Sequence, residues 1–222
     1  LVVMKSFKIS MFAFTLIEVL CAIAIVGVLV AIIVASVRSV RAQADRTTGL
    51  SNLRQVGIAA MYYATDNEAL LPGPAWTGQG VWYRKDDRTF GNRLWQYLGL
   101  PEPQTWSQEA KILGNPAYYK NRQSSGSPSL ILNMNVRMPD GITRNPWGYK
   151  DADGSIRSLP MNLPSLAAAG LSKTWAMRDV DQTSPAVSAT DWYSQLPQKP
   201  IFGKYRISLN FDLSAQLVGV DE

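Results

Sequence analysis

The hydrophobic positions of this chain crowd toward one end. From Phe14 to Ala35 the sequence reads FTLIEVLCAIAIVGVLVAIIVA, 22 residues carrying one charge, Glu18. A helix of that length rises about 33 Å at 1.5 Å per residue, enough to cross a hydrocarbon core of about 30 Å. Past Ala35 the apolar positions thin to a spacing of three and four: Val37, Val40, Ala44, Thr47, Leu53, Gly57, Ala60, Met61 and Ala64. Arg38, Arg41, Asp45, Arg46 and Arg54 occupy the other faces, which is the pattern of an amphipathic helix. The two stretches read as one helix from Phe14 to about Asp66: a spanning half (14–35), then an amphipathic half (36–70) that packs on a domain. Asp66-Asn67 and then Pro72-Gly73-Pro74 end it.

Downstream (71–222) the pattern breaks into short pieces separated by turns. Asn92–Leu98 and Gln104–Leu113 are predicted as short helices, the second closed by Gly114 with Pro116 beyond it. Ser129–Arg137, Thr174–Arg178, Tyr205–Phe211 and Ala215–Val220 are β-prone or alternating and are predicted as strands. Pro164–Gly170 is predicted as one helical turn with a glycine stop. The expected class is α+β: a long N-terminal helix laid on a small antiparallel sheet.

Composition narrows the chemistry. At 222 residues there is room for one moderate domain plus an appendage. The formal charge is +5, but the basic residues are scattered and interleaved with acids, as in Lys85-Asp86-Asp87-Arg88, so they give no continuous footprint for nucleic acid. The chain has no histidine, which removes Ser-His-Asp chemistry, His-dependent zinc sites and imidazole general bases. Its one cysteine, Cys21, lies in the apolar run and reads as a small hydrophobe.

Glu18 is the informative residue. A carboxylate at the centre of a membrane helix costs about 2.5–3.5 kcal/mol on insertion scales, and intramembrane ionisable groups usually mark function; the alternative reading is that Glu18 lies near the interface and reaches headgroup water. Ahead of the helix, residues 1–13 contain Lys5 and Lys8 and no acid. A secretory signal would have a shorter apolar core with small residues at its far end. Here the small residue, Ala13, stands before the run, so the removable piece is expected to be residues 1–13 alone. A cut after Ala13 would give Phe14 a new α-amino group one helical turn from Glu18.

The stretch Ala13-Phe14-Thr15-Leu16-Ile17-Glu18 resembles the cleavage and methylation site of type IV prepilins and type II secretion pseudopilins. The resemblance implies a cut between Ala13 and Phe14 by prepilin peptidase, N-methylation of Phe14, and a role for Glu18 in setting register during assembly. The partners it implies are other pilin or pseudopilin subunits and an inner-membrane assembly platform, with the protein single-pass in that membrane. The family favours Gly before the cut, where this chain has Ala13. Ser51–Pro74 (SNLRQVGIAAMYYATDNEALLPGP) is similar to the same region of many pseudopilin-like proteins. Many of these end in His, nine residues, then Asp-Gly-His. The corresponding residues here are Phe202, Asp212, Leu213 and Ser214, so only the aspartate is kept, and it reads as a turn residue.

Calcium is the one cofactor the sequence raises. Asp151-Ala152-Asp153-Gly154-Ser155 opens like a calcium loop, with candidate ligands Asp151 and Asp153, but position twelve is Asn162 where a bidentate glutamate is needed. Asp179-Val180-Asp181 is a weaker candidate still. Two functional readings remain. The first is a structural subunit of a type II secretion pseudopilus or type IV pilus-like filament. The second is a membrane-tethered binding module whose seven tryptophans capture polysaccharide or a secreted substrate. An enzyme is not expected, because no nucleophile or paired-acid constellation is present.

Overall fold

A computed structural model describes residues 15–85, 88–151, 155–185 and 187–220. The chain divides into two compact units, one ending at Arg41 and the other beginning at Ala42. Helix α1 (Leu16–Asp66) runs through the boundary.

In the first unit the helix stands without cover. Leu16, Ile23, Val28 and Ile33 are all more than half exposed, and so are most of their apolar neighbours. The apolar stretch reaches a mean hydropathy of 3.1, so by length and composition it is able to cross a membrane. A Cβ placed on Gly27 would meet nothing within 4 Å.

The second unit is α+β. Its strands are β1 (Gly78–Gln79), β2 (Trp82–Tyr83), β3 (Gln108–Glu109), β4 (Leu130–Leu132), β5 (Val136–Arg137), β6 (Thr143–Arg144), β7 (Tyr149–Lys150), β8 (Ile156–Ser158), β9 (Trp175–Asp179), β10 (Tyr205–Asn210) and β11 (Ala215–Gly219). Five form one antiparallel sheet in the order β1-β4-β9-β10-β11, and the others pair as β2-β3, β5-β6 and β7-β8. Among the described residues it also has three short α-helices, α2 (Phe90–Leu94), α3 (Pro116–Asn121) and α4 (Leu163–Ala167), and two 3-10 turns, Lys111–Leu113 and Tyr193–Gln195. The α1 residues of this unit bury Gly49, Leu53, Val56, Gly57, Ala60 and Ala64, a stripe of helical period. They share a core with Leu132, Met177, Ile207, Leu209 and Phe211 of the sheet side. The buried stripe starts at Gly49; Ala44 and Thr47 of the expected stripe are exposed.

Several elements differ from expectation. Gln104–Leu113 is not a helix: Gln108–Glu109 pairs with Trp82–Tyr83, and only Lys111–Leu113 turns, as a 3-10 helix. Strand pairing satisfies the backbone there, and the local pattern could not register it. Pro116 is not a stop but the first residue of α3, where its missing N–H costs nothing, and Asn115 caps that helix by accepting from the Tyr118 N–H at 2.7 Å. Helix α2 begins two residues earlier than expected, behind its cap Thr89, and is over by Leu94. Ser129–Arg137 splits into β4 and β5 because Asn133 turns the chain. Its Nδ2 donates to the Trp175 carbonyl, and its Oδ1 accepts from the Asn135 N–H.

Candidate functional site

The residues expected to carry function fall in two places. At the start of α1, Thr15 and Glu18 form a reciprocal cap. The Glu18 Oε2 accepts from the Thr15 N–H and from its hydroxyl, each at 2.8 Å, while Thr15 Oγ1 accepts from the Glu18 N–H at 3.3 Å. This is the capping-box arrangement, in which a helix-opening hydroxyl and a carboxylate three residues on satisfy each other's backbone donors. The carboxylate also lies at the positive end of the helix dipole. It therefore has an intrachain partner, Thr15. Thr15-x-x-Glu18 is itself the sequence signature of such a box. Ala13 and Phe14 lie outside the described residues. Cys21 is an exposed free thiol. Ser36, the polar residue just past the apolar run, returns its hydroxyl to the Ile32 carbonyl at 2.9 Å.

The second place is where α1 meets the sheet within the second unit. A Cβ on Gly49 would lie 2.7 Å from Ile207 Cδ1 and 2.8 Å from Asn115 Cβ; one on Gly57 would lie 2.5 Å from Leu209 Cδ2. Small residues let the helix backbone approach β10 this closely. Asn52 ties the helix to the loop before α3 through a 2.9 Å bond from Nδ2 to the Gly114 carbonyl. At the rim, Lys120 pairs with Asp45 at 2.6 Å.

Beneath this dock lie two acids from β9 and its end, Asp179 and Asp181. They share a face but not a ligand. Asp181 forms a buried ion pair with Arg206, whose Nε and Nη2 donate at 2.7 and 3.0 Å, and it also accepts from the Thr183 N–H and hydroxyl. Burial works against its charge, but the Arg206 guanidinium and the Thr183 hydroxyl outweigh it, so this carboxyl titrates below the usual range. Asp179 takes the Asn115 amide and the Ile207 N–H instead. Internal partners thus account for the Asp179-Val180-Asp181 candidate.

Of the calcium candidates, Asp153 lies outside the described residues. The Asp151 carbonyl accepts from Arg88 Nη2 at 3.1 Å. Among the described residues no group of three or more Cys, Asp or Glu is close enough to hold a metal ion. Asp212 acts in a turn: its Oδ1 accepts from the Ser214 N–H and hydroxyl, and Leu213 beside it takes a left-handed φ of 69°. Asn67 closes α1, its amide donating to the Tyr63 carbonyl at 2.7 Å, and Asp66 accepts from the Tyr97 hydroxyl at 2.9 Å. Of the tryptophans, Trp76 and Trp106 are exposed, Trp147 is buried between Phe90 and Phe211, and the other four are half-buried.

Comparison with models of known protein families, with curated proteins and with solved structures returned no match.

Proposed function

We propose that this chain is a pilin-like or pseudopilin-type filament subunit, held in the inner membrane by the apolar part of α1 and built into a filament through it. The observation that carries the reading is Glu18. It is the one charge in the apolar stretch, it sits in the first turn, and it is held in place by Thr15. A lone carboxylate in that setting favours a positively charged partner once the helix leaves lipid for a helical bundle. In the proposal that partner is the α-amino group of a neighbour's Phe14, freed by a prepilin peptidase cut after Ala13 and then methylated. The α1 stripe from Gly49 to Ala64, buried against an antiparallel sheet, suits a head carried on a continuous helix. The assembly platform of the inner membrane would be the further partner, and the role is structural rather than catalytic.

The alternative, capture of polysaccharide or a secreted substrate by aromatics, draws on Trp76 and Trp106 alone as exposed tryptophans. Two measurements test the leading reading. Mass spectrometry of the mature protein is expected to find N-methylated Phe14 at its terminus. Glu18→Ala is expected to leave membrane insertion and head stability intact while excluding the chain from filaments; normal incorporation would sink the assembly role.

A further inference from the structure

Helix α1 starts at Leu16, and Thr15 before it is not helical. The cap satisfies the N–H groups of Thr15 and Glu18, while those of Leu16 and Ile17 have no acceptor among the described residues. Backbone donors cannot stay unpaired in hydrocarbon, so this end of the helix belongs at the headgroup level, where water reaches it. Glu18, in the first turn, therefore stands at the edge of the bilayer rather than at its centre.

The next charge along the chain is Arg38. It follows Glu18 by 20 residues, a rise of about 30 Å, which is the thickness of a hydrocarbon core. Ser36, the one hydroxyl residue between them, is bonded to the Ile32 carbonyl and needs no water. Arg41 lies on the same face one turn later, about 4.5 Å farther along, still within a headgroup layer of about 5–8 Å. Both arginines are exposed, and among the described residues neither has a hydrogen bond or ion pair within the chain. No acid lies between Glu18 and Asp45, and Asp45 is held by Lys120. Val37 and Val40 are exposed beside them, so the arginine stems lie along apolar surface while their heads reach outward.

We propose that Arg38 and Arg41 bind the phosphate of an anionic phospholipid and, with Glu18 in the opposite headgroup layer, fix the depth of α1 in the bilayer before assembly. The inference rests on the membrane reading of α1. Guanidinium groups offer paired N–H donors that match phosphate oxygens. Two uncompensated cations on one turn suit a net-negative headgroup, such as that of phosphatidylglycerol, better than a zwitterionic one that carries its own cation. The acyl chains of such a lipid would lie against the exposed Ile33, Val34 and Val37.

The test uses the full chain reconstituted in vesicles of phosphatidylcholine and phosphatidylglycerol. A nitroxide on Cys21, the one cysteine, reports depth through its accessibility to oxygen and to a water-soluble nickel chelate. Cys21 is three residues past Glu18, so the label is expected in the outer hydrocarbon, about 4.5 Å below the carboxylate. A label near the midplane would overturn the depth. In the unlabelled protein, spin-labelled phosphatidylglycerol is expected to be preferred over spin-labelled phosphatidylcholine by at least about fivefold, the effect of one arginine at an anionic surface. Arg38→Gln with Arg41→Gln is expected to bring that ratio close to one, and equal ratios in the two proteins would overturn the lipid contact. Exchanging chloride for inorganic phosphate at constant ionic strength is expected to leave the preference intact; its loss would point to a free anion and overturn the lipid. Extraction of the wild type by alkaline carbonate would instead overturn the membrane reading itself, and the inference with it.

Discussion

Gly57 of α1 faces Leu209 of β10 so closely that a Cβ in its place would stand 2.5 Å from Leu209 Cδ2 and 2.9 Å from Leu213 Cδ2. Gly49 repeats the approach two helical turns earlier against Ile207 and Asn115. The helix backbone, rather than its side chains, therefore sets the distance to the sheet.

Gly57→Val is expected to destabilise the second unit by about 1–3 kcal/mol, the usual cost of overpacking a filled core. Gly57→Ala is expected to cost less, because alanine returns about 1 kcal/mol of helix propensity. Urea denaturation of the two variants side by side checks the order. Equal stability for Gly57→Val and wild type would mean that the helix is free to lift.

Gly27 is the counterpart without neighbours, since nothing lies within 4 Å of a Cβ built there. Gly27→Leu is expected to leave the denaturation midpoint of the second unit unchanged. If the glycine serves close helix–helix approach in a filament, the same variant is expected to lose incorporation in a filament pull-down. Normal incorporation would discard that role.

Arg206→Met would strand Asp181 without its cation. Both side chains are almost wholly buried, at 4% and 2% exposure, so the loss is expected to be about 3–5 kcal/mol. Removing the aspartate as well, in Arg206→Met with Asp181→Leu, is expected to recover part of it. A double-mutant cycle by chemical denaturation measures the coupling.

The same pair shapes the acid limb. The Asp181 carboxyl is held below the usual range, so the stability it contributes is full above about pH 4 and is lost as pH falls through its folded value. In the Arg206→Met, Asp181→Leu protein the decline of the thermal midpoint between pH 4 and 2 is expected to be shallower than in wild type. Identical declines would show that other carboxylates carry the acid limb.

Lys120→Ala is expected to cost under about 1 kcal/mol, because Lys120 is 61% exposed and its pair with Asp45 is screened by water. A thermal midpoint within a few degrees of wild type checks this. A larger drop would mean that the pair holds α3 to α1.

The strongly patterned parts of the chain were legible in its sequence. An uninterrupted apolar run and then a 3.6-residue period are local signals, and they placed α1 from its first turn to Asp66. The β9, β10 and β11 segments, β-rich and bounded by turns, were legible for the same reason. Glu18 stood out because one charge among 22 residues is visible without any fold. What the sequence left open depends on distant partners. Gln108–Glu109 became a strand because Trp82–Tyr83 lies beside it. Asp179 and Asp181 looked alike in the chain, yet Asp181 pairs with Arg206, 25 positions beyond it. Asp179 accepts from Asn115 instead, 64 positions before it. Periodicity reports which face of an element is buried. Only the tertiary structure decides what waits on that face, because burial makes a carboxyl's partners, rather than its own chemistry, set its charge.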